Sequence, residues 1–344
     1  VLSPEEPILG IVVVVYKSRA DTVAFVCRQL PQIGCPFRAV VVDLDCAPDA
    51  TRQMAAECGA EPYGGEPNPR QPVLFLNSPE NLGYARGNNL GAELLLRHFP
   101  GIRWLLFSNN DIEIPGPETL SQLITQLQRL PDVACIGPRV LGLDGQDQSP
   151  LYEPIPLAEV TCMELFSPPV CRLFMPRPRR PGPPGPPREG YCYTVMGCFL
   201  LVRAEDFVAA GRFDPGTFLY REEEILSERL LRLRKRAYFL PSAVVRHHGG
   251  KTISRYIDYG QVNRLHFEST CYYYRNYRQA NDLQIALLRF AKRVSLTRAR
   301  LLSRFRRRPA ATPRAAPAAA APGDARVSVP RSPGSETSGK AGRP

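Results

Sequence analysis

Residues 8–16 read ILGIVVVVY. An unbroken β-branched run followed by the turn-forming YKSRAD is the pattern of a strand covered on both faces, as in a parallel sheet. Working outward, Asp21 reads as a helix N-cap, with Val23, Val26, Leu30 and Ile33 as the apolar stripe. Phe37–Val42 reads as a second strand, ending at Asp43, and 49–58 as a helix stopped by Gly59. Val73–Leu76 is a third strand, Tyr84–Phe99 a helix, and Arg103–Phe107 a fourth strand ending in SNND. Glu118–Leu130 reads as a helix and Val133–Ile136 as a short strand. The alternation predicts an α/β fold, with a mostly parallel central sheet flanked by helices.

Further on, 195–202 (VMGCFLLV) and 238–245 read as strands, and 204–210 and 222–236 as helices. The stretch 166–190 contains PRPRRPGPPGPPREG, which can hold neither ladder nor helix and reads as a flexible Pro/Arg-rich loop. Residues 277–308 read as a basic amphipathic helical extension, and 309–344, rich in Ala, Pro, Gly and Ser, as a disordered tail.

The chain has 344 residues, 44% apolar and 22% charged, a globular composition with material for a sizeable core. Its net charge of +11 is concentrated at one end. Residues 291–344 hold 13 Lys/Arg against 2 Asp/Glu, whereas the remaining 290 residues hold 31 of each sign. A neutral body argues against a broad nucleic-acid-binding face, so no nucleic-acid partner is expected. The Arg-rich segment 280–308 fits an anionic membrane surface as a partner. No run of 18 apolar residues occurs, and the first residues show no secretory signal. None of the 10 cysteines forms a C-x2-4-C pair, which argues against a zinc knuckle and for reduced thiols in a cytoplasmic protein. Docking at the inner face of the cytoplasmic membrane is compatible with that location.

In an open α/β sheet, ligands bind beyond the carboxyl ends of the strands. Polar residues gather there: Tyr16, Asp43, Asn77, Asn109-Asn110-Asp111 and His247-His248. Neither a G-x-G-x-x-G fingerprint nor a P-loop is present, so a nucleotide would be held by side chains and a divalent metal. Asp111 closes an apolar strand and suits Mg2+ or Mn2+, although N-N-D is also a common turn. Glu222-Glu223-Glu224 is either a favourable helix start or a set of like charges that raises one carboxylate toward general-base use. His247 and His248 are either a turn or a metal or phosphate contact. Residues 80–89, ENLGYARGNN, open a helix with glycines that allow close backbone approach by a ligand.

Together these segments resemble inverting family-2 glycosyltransferases of the GT-A fold, of the bacterial rhamnosyltransferase-like branch. The matching stretches are VVVVYKS (12–18), VVD (41–43), NSPENLGYARGNN (77–89), WLLFSNNDIEI (104–114), MGCFLLVRAEDFVAAGRFD (196–214), FLYREEEILSERL (218–230) and VVRHHGGKTIS (244–254). They span a GT-A domain over residues 1–276. The resemblance implies that Tyr16 and Asp43 hold base and ribose. Asn81, Gly83, Ala85, Asn88, Asn109 and Asn110 would line the nucleotide-sugar site. Asp111 would hold the metal, Mg2+ or Mn2+, with His247, or His248, as a further ligand. Glu223 would be the general base, with Glu222 as the alternative. The implied reaction moves a sugar from a nucleotide-diphosphate donor, of dTDP-rhamnose, UDP or GDP type, to a hydroxyl of a glycan or lipid-linked glycan in bacterial surface polysaccharide synthesis.

The chain departs from the family at Ile225, where relatives often carry an Asp, and in VVDLDCAPD at 41–49. An inactive glycosyltransferase-fold partner subunit is therefore the competing expectation. A nucleic-acid-binding protein using its basic tail is a more distant one.

Overall fold

The computed structural model describes residues 8–166, 170–171, 187–249 and 258–306. Most of the Pro/Arg-rich stretch expected at 166–190 and the tail expected at 309–344 lie outside the described residues. Strand β1 (Leu9–Val15) occupies the centre of the parallel half of the sheet, between β2 (Phe37–Asp43) and β4 (Trp104–Ser108), and β3 (Val73–Asn77) continues it beyond β2. Leu9, Ile11, Val12 and Val13 are fully buried, as the continuous apolar run requires. Helix α1 (Arg19–Ala24) continues through a π turn and a 3-10 turn, α2 spans Pro48–Glu57, and α3 spans Gly83–His98.

Asp21 is not the N-cap of α1. The helix begins two residues earlier, at Arg19, which puts Asp21 in the first turn, near the positive end of the helix dipole. Thr22, Phe25, Val26, Leu30 and Ile33 form the buried side of this segment. The π turn widens the helix and shifts the stripe from a regular 3.6-residue period.

The second half of the sheet changes direction. Here β5 is Ile112–Glu113, α4 Glu118–Arg129, β6 Val133–Gly142, α5 Leu157–Leu165, β7 Gly190–Cys192, β8 Phe199–Arg203, α6 Ala204–Ala209, α7 Glu222–Arg232 and β9 Arg236–His247. The order is β3-β2-β1-β4-β8-β6-β9-β5, with β7 paired to β9. Strand β8 lies antiparallel to both β4 and β6, while β6 and β9 are parallel. Thus the parallel run seen in the alternating N-terminal half stops at β4. The continuous apolar character of β8 says that both its faces are covered, which is true, but carries no information on direction. Two apolar layers cover the sheet: one includes Phe25, Leu30, Leu120 and Leu123, and the other Ala85, Leu95, Phe207, Phe213 and Leu226.

Helices α8 (Tyr259–Tyr277) and α9 (Asp282–Arg306) follow. The compact unit reaches Arg298, beyond the boundary at 276/277 drawn from sequence. The reason is packing: Ile285 and Leu288 of α9 join Ile225, Cys271, Tyr273 and Tyr274 in a third apolar cluster. Among the described residues no helix is long and apolar enough to cross a membrane.

A single buried carboxylate ties α7 and α8 to the loop before α7. Asp214 accepts hydrogen bonds from the Tyr277 hydroxyl, from Tyr272 Oη at 3.1 Å and from the Gly216 N–H at 2.8 Å, and lies 3.0 Å from Arg229. Burial raises its pKa, but the Tyr277 and Gly216 hydrogen bonds and the Arg229 charge outweigh it and hold the carboxyl below the usual range. Asp214→Ala is expected to lower the unfolding free energy by about 3 kcal/mol, because it removes the charge partner of Arg229 and the acceptor of two tyrosine hydroxyls. Chemical denaturation at neutral pH checks this. The depressed pKa gives stability that is fully present above about pH 4 and is lost as pH falls through the folded-state value. The difference between wild type and variant should therefore shrink in acid.

Candidate active site

A crevice of about 300 Å³ opens where β1 and β4 end and β8 begins. Its wall takes Tyr16 and Ser18 from beyond β1, Asn81, Gly83 and Tyr84 from the start of α3, and Asn109, Asn110 and Asp111 from beyond β4. Opposite polarity brings Met196, Gly197 and Cys198 from the start of β8. Tyr220, Glu222 and Glu223 come from the start of α7, and His247 from the end of β9.

Gly83 must be glycine. Its φ is +72°, and a Cβ there would lie 2.3 Å from the Phe218 carbonyl oxygen. That carbonyl accepts from Tyr84 N–H at 2.8 Å, which fixes the loop carrying Phe218–Tyr220 against α3. Tyr220 and Arg221 follow, both left-handed with φ of 74° and 73°. Consecutive left-handed residues other than glycine are strained, and here they turn the chain directly into the acidic start of α7. The Arg221 guanidinium supports the turn by pairing with Glu224 and by donating from Nε to Thr270 Oγ1 at 3.2 Å.

The three carboxylates thus take three environments. Glu224 is ion-paired. Glu222 is buried at 2% exposure, and its Oε1 has no hydrogen-bond partner. Burial first, then the Glu223 charge, raises the Glu222 pKa far above the ordinary carboxylate range. Glu223 is half-buried, and its Oε1 accepts from the Gly197 N–H at 2.9 Å. Burial and the Glu224 charge push it up to about 7 against the opposing backbone hydrogen bonds and Arg221 charge. Tyr84 Oη donates to the Gly197 carbonyl at 2.8 Å, so one peptide segment is held from both sides of the crevice.

A Cβ on Gly197 would fall 2.1 Å from Glu223 Oε1. Gly197→Ala is therefore expected to displace this carboxylate and to cost about 1–3 kcal/mol of stability. Thermal unfolding, with a pH titration of the Glu223 region by NMR, checks both effects.

Asp111 Oδ1 is buried and makes no hydrogen bond, and His247 Nε2 lies 3.3 Å from it in ion-pair range. Gln148 Oε1 is 2.8 Å from His247 Nδ1 and orients the ring. His248 turns elsewhere: it is partly exposed and faces Glu113, with Nε2 3.3 Å from Oε2. Among the described residues, no group of three or more His, Cys, Asp and Glu side chains converges to enclose an ion.

The other residues named from sequence are placed variously. Asn110 Nδ2 donates to Ser18 Oγ and Thr22 Oγ1, both at 2.8 Å, which joins the end of β4 to α1. Asn109 N–H donates to the Cys198 carbonyl at 2.9 Å. Asn81 Oδ1 accepts from Gly83 N–H at 3.1 Å. Ala85 and Asn88 are buried behind the wall, and Asn88 Nδ2 donates to the Tyr84 carbonyl at 3.0 Å. Asp43 also lies behind the wall. Its carboxylate is occupied by the Asp45 N–H at 3.0 Å and Thr51 Oγ1 at 2.7 Å. Sequence reading assigned no role to Tyr84, Gly197, Tyr220 or Gln148. Tyr84 and Gly197 stand inside motifs already singled out, but only the packing reveals what they hold.

This sheet order, with a crevice at the ends of β1 and β4 and an acidic pair opposite, defines a GT-A type glycosyltransferase fold. A mannosyltransferase from Pyrobaculum calidifontis, solved in complex with GDP-Man and Mn2+, superposes at a TM-score of 0.50 with 12% identity, over 88% of this chain and 76% of that one. In sequence the chain is similar to curated N-acetylglucosaminyl-diphospho-decaprenol L-rhamnosyltransferases of two Mycobacterium tuberculosis strains, CDC 1551/Oshkosh and ATCC 25618/H37Rv. Each is 27% identical over 195 residues, 53% of this chain. The match spans 61% of the length of these relatives. No family model matches the chain. The rhamnosyltransferase-like resemblance seen in the motifs is thus met in a curated relative, and the GT-A fold in the structure.

Proposed function

We propose that this chain is a metal-assisted, inverting glycosyltransferase. It takes a sugar from a nucleotide-diphosphate donor of dTDP-rhamnose, UDP or GDP type, with rhamnose supported by the names of the curated relatives. The acceptor is a hydroxyl of a glycan or lipid-linked glycan in bacterial surface polysaccharide synthesis. The observation that carries the reading is Glu223, a carboxylate tuned to about 7 and held by the Gly197 N–H in the same crevice as Asp111 and His247.

Glu223 in its ionised form accepts the proton of the acceptor hydroxyl. The freed oxygen forms a bond to the anomeric carbon as the bond to the diphosphate oxygen breaks. The electron pair leaves on the diphosphate, and attack from the opposite face inverts the carbon. Glu222, shifted toward its neutral form by burial beside the base, limits the negative charge at this end of the crevice. The orphaned Asp111 Oδ1 and the oriented His247 Nε2 fit one divalent ion shared with the donor phosphates. Mg2+ or Mn2+ held there would offset charge on the leaving diphosphate. A cytoplasmic location and lack of a nucleic-acid partner accompany this reading.

The test is thermal unfolding with dTDP, UDP and GDP, each with and without Mn2+. Binding to the folded state should raise stability by about 2.7 kcal/mol at 100-fold excess over Kd. One nucleotide should give a metal-dependent rise. No rise with any of the three, in folded protein, would sink the donor-site reading. It would favour the inactive-partner alternative, which one observation supports: Ile225, fully buried among Cys271 and Tyr273, stands in place of a carboxylate common in the family resembled.

A further inference from the structure

Helix α9 carries more apolar surface than the body uses. Ile285, Leu288 and Ala291 are buried against the compact unit, and Lys292 is anchored to Glu164 at 2.8 Å. These residues define one face. Leu283, Leu287 and Phe290 stand roughly on the opposite face at i, i+4 and i+7, and are 79%, 51% and 58% exposed. Arg289 and Arg293 are exposed along one side of this second stripe. A solvated helix packed by one face has no need of a second apolar stripe, and a helix apolar on two faces has two partners.

We infer that the Leu283–Leu287–Phe290 stripe of α9 docks on an anionic lipid surface. The charge pattern selects that occupant. After Asp282, the sequence through 308 contains no acidic residue, and Arg289, Arg293, Arg298, Arg300, Arg304, Arg306, Arg307 and Arg308 join Lys292. Apolar side chains flanked by arginines match acyl chains below and phosphate groups above, the arrangement of a helix lying in the membrane interface. The body face of α9 keeps the helix parallel to the protein surface, so the stripe rests on the bilayer rather than crossing it. This goes beyond the transferase reading and does not depend on it.

Sedimentation of the full chain with phosphatidylcholine vesicles, and with vesicles containing a third of phosphatidylglycerol, tests the inference. The chain should bind the anionic vesicles, and 0.5 M salt should weaken the binding. Leu283→Gln/Leu287→Gln/Phe290→Gln should lose the binding at least about tenfold. Arg289→Gln/Arg293→Gln should weaken it about 30-fold, on the order of fivefold per arginine, and only on anionic vesicles. Both variants change exposed side chains, and an unchanged unfolding temperature verifies the fold. Equal sedimentation of wild type and the triple variant would overturn the inference. So would a wild-type dimer, seen by light scattering and absent from the triple variant, which would assign the stripe to self-association.

Discussion

Glu223→Gln is expected to keep nucleotide binding and to lose at least about two orders of magnitude in transfer rate, the scale of a missing general base. The exchange leaves size and hydrogen-bond reach almost unchanged, so Gly197 N–H still finds an acceptor. What disappears is the ability to take a proton. A steady-state assay with saturating donor would show the fall in kcat, and the nucleotide-induced thermal shift would remain. Near-normal turnover would move the base elsewhere. The same residue sets a pH profile. With its pKa up to about 7, the ionised fraction falls about tenfold for each unit below that value, so the rate should rise with pH and level off above it. Glu222→Gln gives the contrasting result. Its folded-state pKa is raised, so ionisation opposes folding, and this cost grows as pH rises from the ordinary carboxylate range. Removal of the titrating group should therefore raise stability at neutral pH and above, against any loss of activity it brings.

Asp111→Asn should abolish the Mn2+-dependent part of nucleotide binding and lower transfer by about 10²–10³-fold. The buried Oδ1 makes no hydrogen bond and faces only His247 Nε2 at 3.3 Å, so the exchange should leave the fold preserved. Calorimetric titration of nucleotide with and without Mn2+ separates the two states directly. If the variant kept a full metal response, Asp111 would not be a ligand. If His248→Ala abolished that response while His247→Ala did not, the ligand would lie beside Glu113 instead.

Much of this architecture can be read from residue types. The β-branched run at 9–15, the helix stops at Gly59 and the alternating segments up to 130 give the parallel half, because burial and turn chemistry act locally there. Strand direction beyond β4 is a different matter. Phe199–Arg203 looks the same to its neighbours in either direction, and only long-range pairing reverses it. The distinct conditions of Glu222, Glu223 and Glu224 are likewise silent in three identical letters. They arise because Arg221 reaches one carboxylate, Gly197 another, and the core the third. Asp43 stands at a strand end as expected, but that its carboxylate also accepts from Thr51 and Asp45 is not written in its position. The second apolar stripe of α9 is present in the sequence, but one must know which stripe the body has used before the other becomes informative.

The reversal of β8 also bears on how such a protein can diversify. The crevice receives β1 and β4 at their ends but β8 at its beginning. Chain between β6 and β7 can therefore change in length while every rung between β4 and β8 keeps its partner. A graft of the segment between β6 and β8 from a relative would replace one lip of the crevice and leave the half built on β1, β2 and β3 untouched.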